Sequence, residues 1–102
     1  MKVGIPTDDK YTVSEHFGRA KYFLIVDMEN GKQTKKLIEN PHETEENEQS
    51  GHGKLLKMLV ENKVDKVICS NLNSKMERNL ESLKIKVERV GEGSTIEGIL
   101  HI

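Results

Sequence analysis

Apolar positions in this chain come in short blocks, and the spacing inside each block predicts its element. Residues 3–6 form a brief apolar run that stops at the turn-forming Pro6-Thr7-Asp8-Asp9, a first strand. Residues 21–28 are almost wholly apolar or aromatic, so this second strand is expected to be buried on both faces. Asn30-Gly31 follows, the pair best suited to the positive φ angles of a two-residue type I′ turn. Residues 32–39 should then return antiparallel, with Lys32, Lys35 and Lys36 giving them the charged profile of a protected sheet edge.

The stretch 40–50, "NPHETEENEQS", has no apolar anchor and reads as a mobile acidic loop. From Gly51 the spacing becomes helical as far as about Asn62, with Leu55, Leu56 and Leu59 as the buried stripe. Residues 66–69 read as a central strand and 74–83 as a helix carrying Met76, Leu80 and Leu83 on one face. A last strand spans 85–90. Ser94-Thr95-Ile96-Glu97 has the spacing of a capping box, Ser94 as N-cap and Glu97 reaching back, before a short helix packed through Ile96, Ile99 and Leu100.

The strand–helix–strand unit from 66 to 90 should be a right-handed parallel crossover. The expected fold is therefore α/β: a five-stranded mixed sheet in the order 3-2-1-4-5, with only strand two antiparallel and helices on its faces. At 102 residues without internal repeats, residues 1–102 are expected to form a single domain.

Composition narrows the function classes. Lys plus Arg (16) nearly cancel Asp plus Glu (17), so the charge gives no argument for nucleic acid or an anionic membrane as partner. A lone cysteine, Cys69, excludes an internal disulfide and suits a reducing cytoplasm. No apolar run approaches the ~20 residues of a membrane helix. The opening MKVGIPTDD is too short and too quickly polar for a signal peptide, so a cytoplasmic location is expected.

The expected strand directions gather candidate chemistry at one rim. The loop before strand two carries Glu15, His16 and Arg19; His42 follows strand three; Gly51-His52-Gly53 opens the first helix; Cys69 ends strand four. That rim lies outside the carboxyl ends of the parallel strands, where open α/β sheets bind ligands. A helix start with Gly51 and Gly53 would let an anion approach backbone N–H groups. Each residue also has a plain reading: loop histidines are common, the glycines loosen a helix start, and Cys69 is a small buried residue.

Catalysis finds no support. No nucleophile motif, paired-cysteine zinc spacing or phosphate-loop ending is present, and Asp8, Asp9, Asp27 and Asp65 fall at opposite ends of the expected sheet. No catalytic residue is assigned, and the chain is not expected to be an enzyme.

At "SEHFGRAKYFLIVD" the sequence resembles the dinitrogenase iron–molybdenum cofactor biosynthesis family, which includes NifX-like carriers and the C-terminal domain of NifB-type proteins. The resemblance runs through "VGIPTDD", His16-Phe17-Gly18, "ENP", "GHGKLLKMLVENKVDKVICS" and "LKIKVERV", nearly the whole chain. It implies a ribonuclease H-like fold and a small carrier of iron–sulfur-type or iron–molybdenum-type clusters, with His16 as the favoured cluster-contacting residue. His42, His52 and Cys69 are expected as helper ligands, with Phe17, Gly18, Arg19, Gly51 and Gly53 around the cargo and the 40–50 loop as its lid. Where the family usually carries a glycine-rich turn after strand four, this chain has Cys69-Ser70-Asn71-Leu72-Asn73. The rival expectation is a metal-free interaction module acting with a partner protein such as an ATPase, motivated by the scatter of the candidate ligands along the chain.

Overall fold

The computed structural model describes residues 1–29, 31–40, 48–91 and 93–100. Five strands, β1 (Lys2–Thr7), β2 (Tyr22–Glu29), β3 (Lys32–Glu39), β4 (Lys66–Cys69) and β5 (Lys86–Arg89), form one sheet in the order β3-β2-β1-β4-β5. β1–β2 and β2–β3 pair antiparallel, β1–β4 and β4–β5 parallel, so β2 alone runs against the rest, as expected. Helices α1 (Glu48–Glu61), α2 (Ser74–Ser82) and α3 (Ile96–Leu100) complete it. Among the described residues no helix is long and apolar enough to cross a membrane.

The two-sided apolar character of β2 explains the layers. Side chains alternate across a strand, so Phe23 and Ile25 face one side and Leu24 and Val26 the other. On the first side Phe23, Ile25, Val67 and Cys69 pack against Leu55 and Leu59 of α1 and Met76 and Leu80 of α2. On the second, Val3, Ile5, Leu24, Val26 and Ile68 meet Val13 and Ile96. β3 is the expected edge, with Lys32, Lys35 and Lys36 all exposed. Gly31 sits at φ 74 in the hairpin connection. Its neighbour Asn30 lies outside the described residues.

Several boundaries differ from expectation for local reasons. α1 begins at Glu48 and not at Gly51, so part of the expected loop is helix. Leu83 is 42% exposed, because α2 ends first: its N–H bonds to Asn79 O and Leu80 O, and Lys84 turns the chain away at φ 62. The cap of α3 is Thr95, whose Oγ1 accepts the Gly98 N–H at 3.1 Å, while the Ser94 hydroxyl donates to Gly91 O at 2.6 Å. The pattern also gave no sign that Tyr11–Val13 would run beside the start of α3. There Val13 N–H donates to Ser94 O at 2.9 Å and Ile96 N–H to Tyr11 O at 2.8 Å.

Leu80 of α2 and Leu83 just beyond its end make a check on this packing. Leu80→Ala empties a fully buried position and should cost roughly 2–5 kcal/mol. Leu83→Ala should stay within about 1 kcal/mol because its side chain is already part in water. Urea denaturation of both variants measures the difference.

Candidate functional site

The site begins with the polar turn after β1. Asp8 is a bracket: its Oδ2 accepts the Ser14 hydroxyl at 2.8 Å and its Oδ1 accepts the Lys21 N–H at 2.9 Å, which ties both ends of the loop to one carboxylate. Asp9 folds the tip, accepting the Tyr11 and Thr12 N–H groups at 2.8 Å each and the Thr12 hydroxyl at 2.8 Å. Those backbone N–H groups, Thr12 first, hold the Asp9 carboxyl down to about 2 from an ordinary 3.8.

From this base the loop is held mostly through its backbone. Ser14 Oγ accepts the His16 N–H at 3.1 Å, and Asn71 Nδ2 donates to Glu15 O at 3.0 Å. Asn40, only 1% exposed, donates from Nδ2 to Gly18 O at 3.1 Å and Ala20 O at 2.8 Å. Phe17 is the apolar anchor: it is buried, edge-on to Phe23 with centroids 5.2 Å apart. With the backbone and Phe17 fixed, His16 is left outward with 63% of its side chain exposed, its Nε2 3.6 Å from Glu15 Oε1.

This loop forms one wall of a cavity of about 410 Å³. The opposite wall is the β4–α2 turn, Asn71 to Asn73, with Met76 and the end of β5 at Arg89. Phe17, Leu72 and Met76 supply its apolar part, while His16, Arg19 and Arg89 supply cationic or potentially cationic groups. Asn73 caps α2, its side chain accepting the Met76 N–H at 2.8 Å, so the positive end of that helix dipole lies at the cavity. Arg89 Nη2 donates to Glu77 Oε2 at 3.0 Å and to Leu72 O at 3.4 Å. Arg19 pairs with no carboxylate among the described residues.

The structure thus brings His16, Phe17, Gly18 and Arg19 to one cavity, with Phe17 as an anchor more than a contact. Cys69 ends β4 at this edge, but its side chain is in the core and burial pushes the thiol up to about 11. Cys69 is fully buried and does not line the cavity, unlike His16. α1 finishes at the opposite edge, where Asp65 N–H bonds to Lys2 O, and so starts at the site edge. Gly53, however, lies in its second turn, exposed and outside the cavity lining.

Among the described residues the helix start that lines the cavity is that of α2, which follows β4 after only four residues. The first of the expected lid residues, Asn40, is buried and bonded, and the last three, 48–50, are helix. His42 lies outside the described residues, as do the side chains of Gly51 and His52, both in α1. Among the described residues no group of three or more His, Cys, Asp or Glu is placed to hold a metal ion.

Asn71, Asn73, Met76 and Arg89 line the cavity and Asn40 holds its loop, and the sequence pattern marked none of them as site positions. Asn73 carried a legible signal, an N-cap type directly before a helical run. Arg89 did not: it reaches the site only because β5 pairs parallel with β4 in a register that sets Arg89 beside Cys69.

Comparison with known proteins follows this geometry. A family model described as dinitrogenase iron-molybdenum cofactor matches residues 1–101. An uncharacterised protein of Methanocaldococcus jannaschii is 35% identical over 101 residues, covering 97% of this chain and 82% of that protein. An NMR structure of a Thermotoga protein, provisionally described as a NifB protein, superposes with a TM-score of 0.73 at 30% identity over 96% of this chain and 83% of that one. The apo form of the orange protein from Desulfovibrio gigas gives a TM-score of 0.81 over 98% of this chain and 83% of that one. At 18% identity that likeness speaks for the fold alone.

Two measurements probe the loop. Asn40→Ala strips two carbonyls of their donor in a buried setting and should cost roughly 1–3 kcal/mol, with faster amide exchange over 14–20. Asp9 stabilises the fold fully above its unfolded pKa near 3.8, and this contribution is lost as pH falls from there through about 2. Asp9→Asn should therefore flatten the fall in melting temperature between those two pH values.

Proposed function

The chain belongs to the dinitrogenase iron-molybdenum cofactor family, and from that premise we propose that it is a small, non-catalytic carrier whose cargo is an iron–sulfur-type or iron–molybdenum-type cluster. The observation that carries this reading is the exposed imidazole of His16 at a 410 Å³ cavity that also holds Arg19, Arg89 and the start of α2. Imidazole is a competent ligand to iron. The two guanidiniums and the helix dipole would offset the negative charge of a cluster that brings its own sulfides. Leu72, part exposed in the lining, gives such a cargo an apolar surface to rest against. His42 and His52 stand as further donors in this reading.

A small number of protein ligands suits cargo that must leave again. A resident cofactor is usually held by several ligands, and none of the described residues form such a group. The same observation favours a second reading, a metal-free interaction module of this fold that acts with a partner protein such as an ATPase. Anaerobic reconstitution with iron and sulfide, followed by iron analysis and absorbance, separates the two: stoichiometric uptake supports the carrier, and none supports the module.

His16 and Phe17 should respond in opposite ways. His16→Ala removes an exposed side chain, so the melting temperature should hardly move while cluster uptake falls sharply. Phe17→Ala empties a buried ring site and should cost roughly 3–5 kcal/mol. Melting temperature and iron content measured on both variants test the assignment, and full uptake by folded His16→Ala removes His16 as the ligand.

A further inference from the structure

We propose that Glu77 and Arg89 set a charge threshold on the cavity: Glu77 competes with an incoming anion for the Arg89 guanidinium, so that anions bearing two or more negative charges are held and singly charged ones are not. The inference rests on the reading of the His16 cavity as a binding site, and adds to it the class of ligand it accepts.

Arg89 stands at the cavity with its Nη2 already engaged, by Glu77 Oε2 at 3.0 Å and by Leu72 O at 3.4 Å. In this state the second arginine of the site is neutralised. Among the described residues, what remains for a ligand is Arg19, the dipole of α2, and His16 with Glu15 beside it. Glu77 sits in the first turn of α2, so its carboxylate also competes for the positive end of that helix.

The Arg89–Glu77 pair is readily given up. Its side chains are 51% and 34% exposed, and ion pairs this open to solvent contribute little. The guanidinium has five N–H donors in a planar fork, which leaves donors for a second anion or lets the group turn toward one.

Coulomb attraction scales with the product of the charges. A monoanion therefore competes with Glu77 for Arg89 on equal terms and gains little by displacing it. A dianion of the same size attracts Arg89 about twice as strongly, recruits it, and then meets two arginines in place of one. Glu77 weakens every anion by the pair energy that must be given up, and only a more highly charged anion recovers more than that from Arg89, so the singly charged ones fall below useful affinity. A pair that only joined β5 to α2 would affect stability without discriminating ligand charge.

The test uses two small tetrahedral probes, sulfate and methanesulfonate, the second with one oxygen and one charge fewer. Each is titrated into the full chain at constant ionic strength and followed by amide NMR shifts. Sulfate should bind about tenfold more tightly than methanesulfonate, with shifts centred on 15–19 and 71–73.

Glu77→Gln should raise the affinity for both anions several-fold, bringing methanesulfonate into measurable binding without narrowing the ratio. Arg89→Gln should lower sulfate affinity about tenfold and bring the ratio close to one. Arg89→Lys should keep part of the preference, since the charge persists without the fork. Equal binding of the two anions by the unaltered chain, no binding of either, or a methanesulfonate affinity unmoved by Glu77→Gln overturns the proposal. Should Arg89→Gln fail to fold, Glu77→Gln decides alone, because it leaves the arginine in place.

Iron and sulfide reconstitution of the same proteins keeps the two readings apart. An unaltered chain that takes up no cluster but keeps the anion ratio overturns the carrier and leaves the threshold standing. Cluster uptake with no charge preference overturns the threshold alone.

Discussion

The structure depends on β1 being paired along both edges. A buried central strand must place its N–H and C=O groups in ladders, and β1 does so with β2 running against it and β4 running with it. That choice sends the end of β1, the start of β2 and the end of β4 to one edge of the sheet. The Asp8–Asp9 turn, the His16 loop and the β4–α2 turn are then brought together by backbone pairing before any side chain is considered.

At that edge, burial and exposure are divided among neighbouring residues. Phe17 goes into the core, while Asp8, Ser14, Asn40 and Asn71 hold the loop around it. Such a loop is preorganised, because its entropy has already been lost in folding and binding need not order it again. His16 and Arg19 can therefore be exposed and still have a defined position. The arrangement separates the effects of substitution within three residues: change at Phe17 acts on folding, and change at His16 acts on the cavity.

The β4–α2 turn shows how this chain differs from a glycine-rich version of the same site. A glycine turn offers bare backbone to a ligand. Here Asn71 spends its side chain on the facing loop and Asn73 caps α2, so the turn braces the cavity wall. Leu72, between them, lines the cavity and presents its carbonyl to Arg89. Positive charge at the site comes from Arg19, Arg89 and the helix dipole, with Glu77 held against it.

The strands, their order, the charged edge and the helices were legible in the sequence because each rests on a local pattern: the unbroken apolar run of β2, helical spacing of Leu55 and Leu59, the glycine of the hairpin. The His16 loop was legible too, since a polar run entering a strand at the carboxyl edge of a parallel pair already marks a site. Tertiary structure alone decided the rest. Whether Cys69 offers a thiolate depends on which face of β4 it occupies, and it occupies the core face. Which helix start meets the cavity depends on the length of the connection before it, and the short one leads to α2. Arg89 joins His16 through the parallel register of β4 and β5, and Asn40 reaches the loop through the pairing of Tyr22 with Glu39 just before it. These are contacts between residues far apart in the chain, and local periodicity carries no record of them.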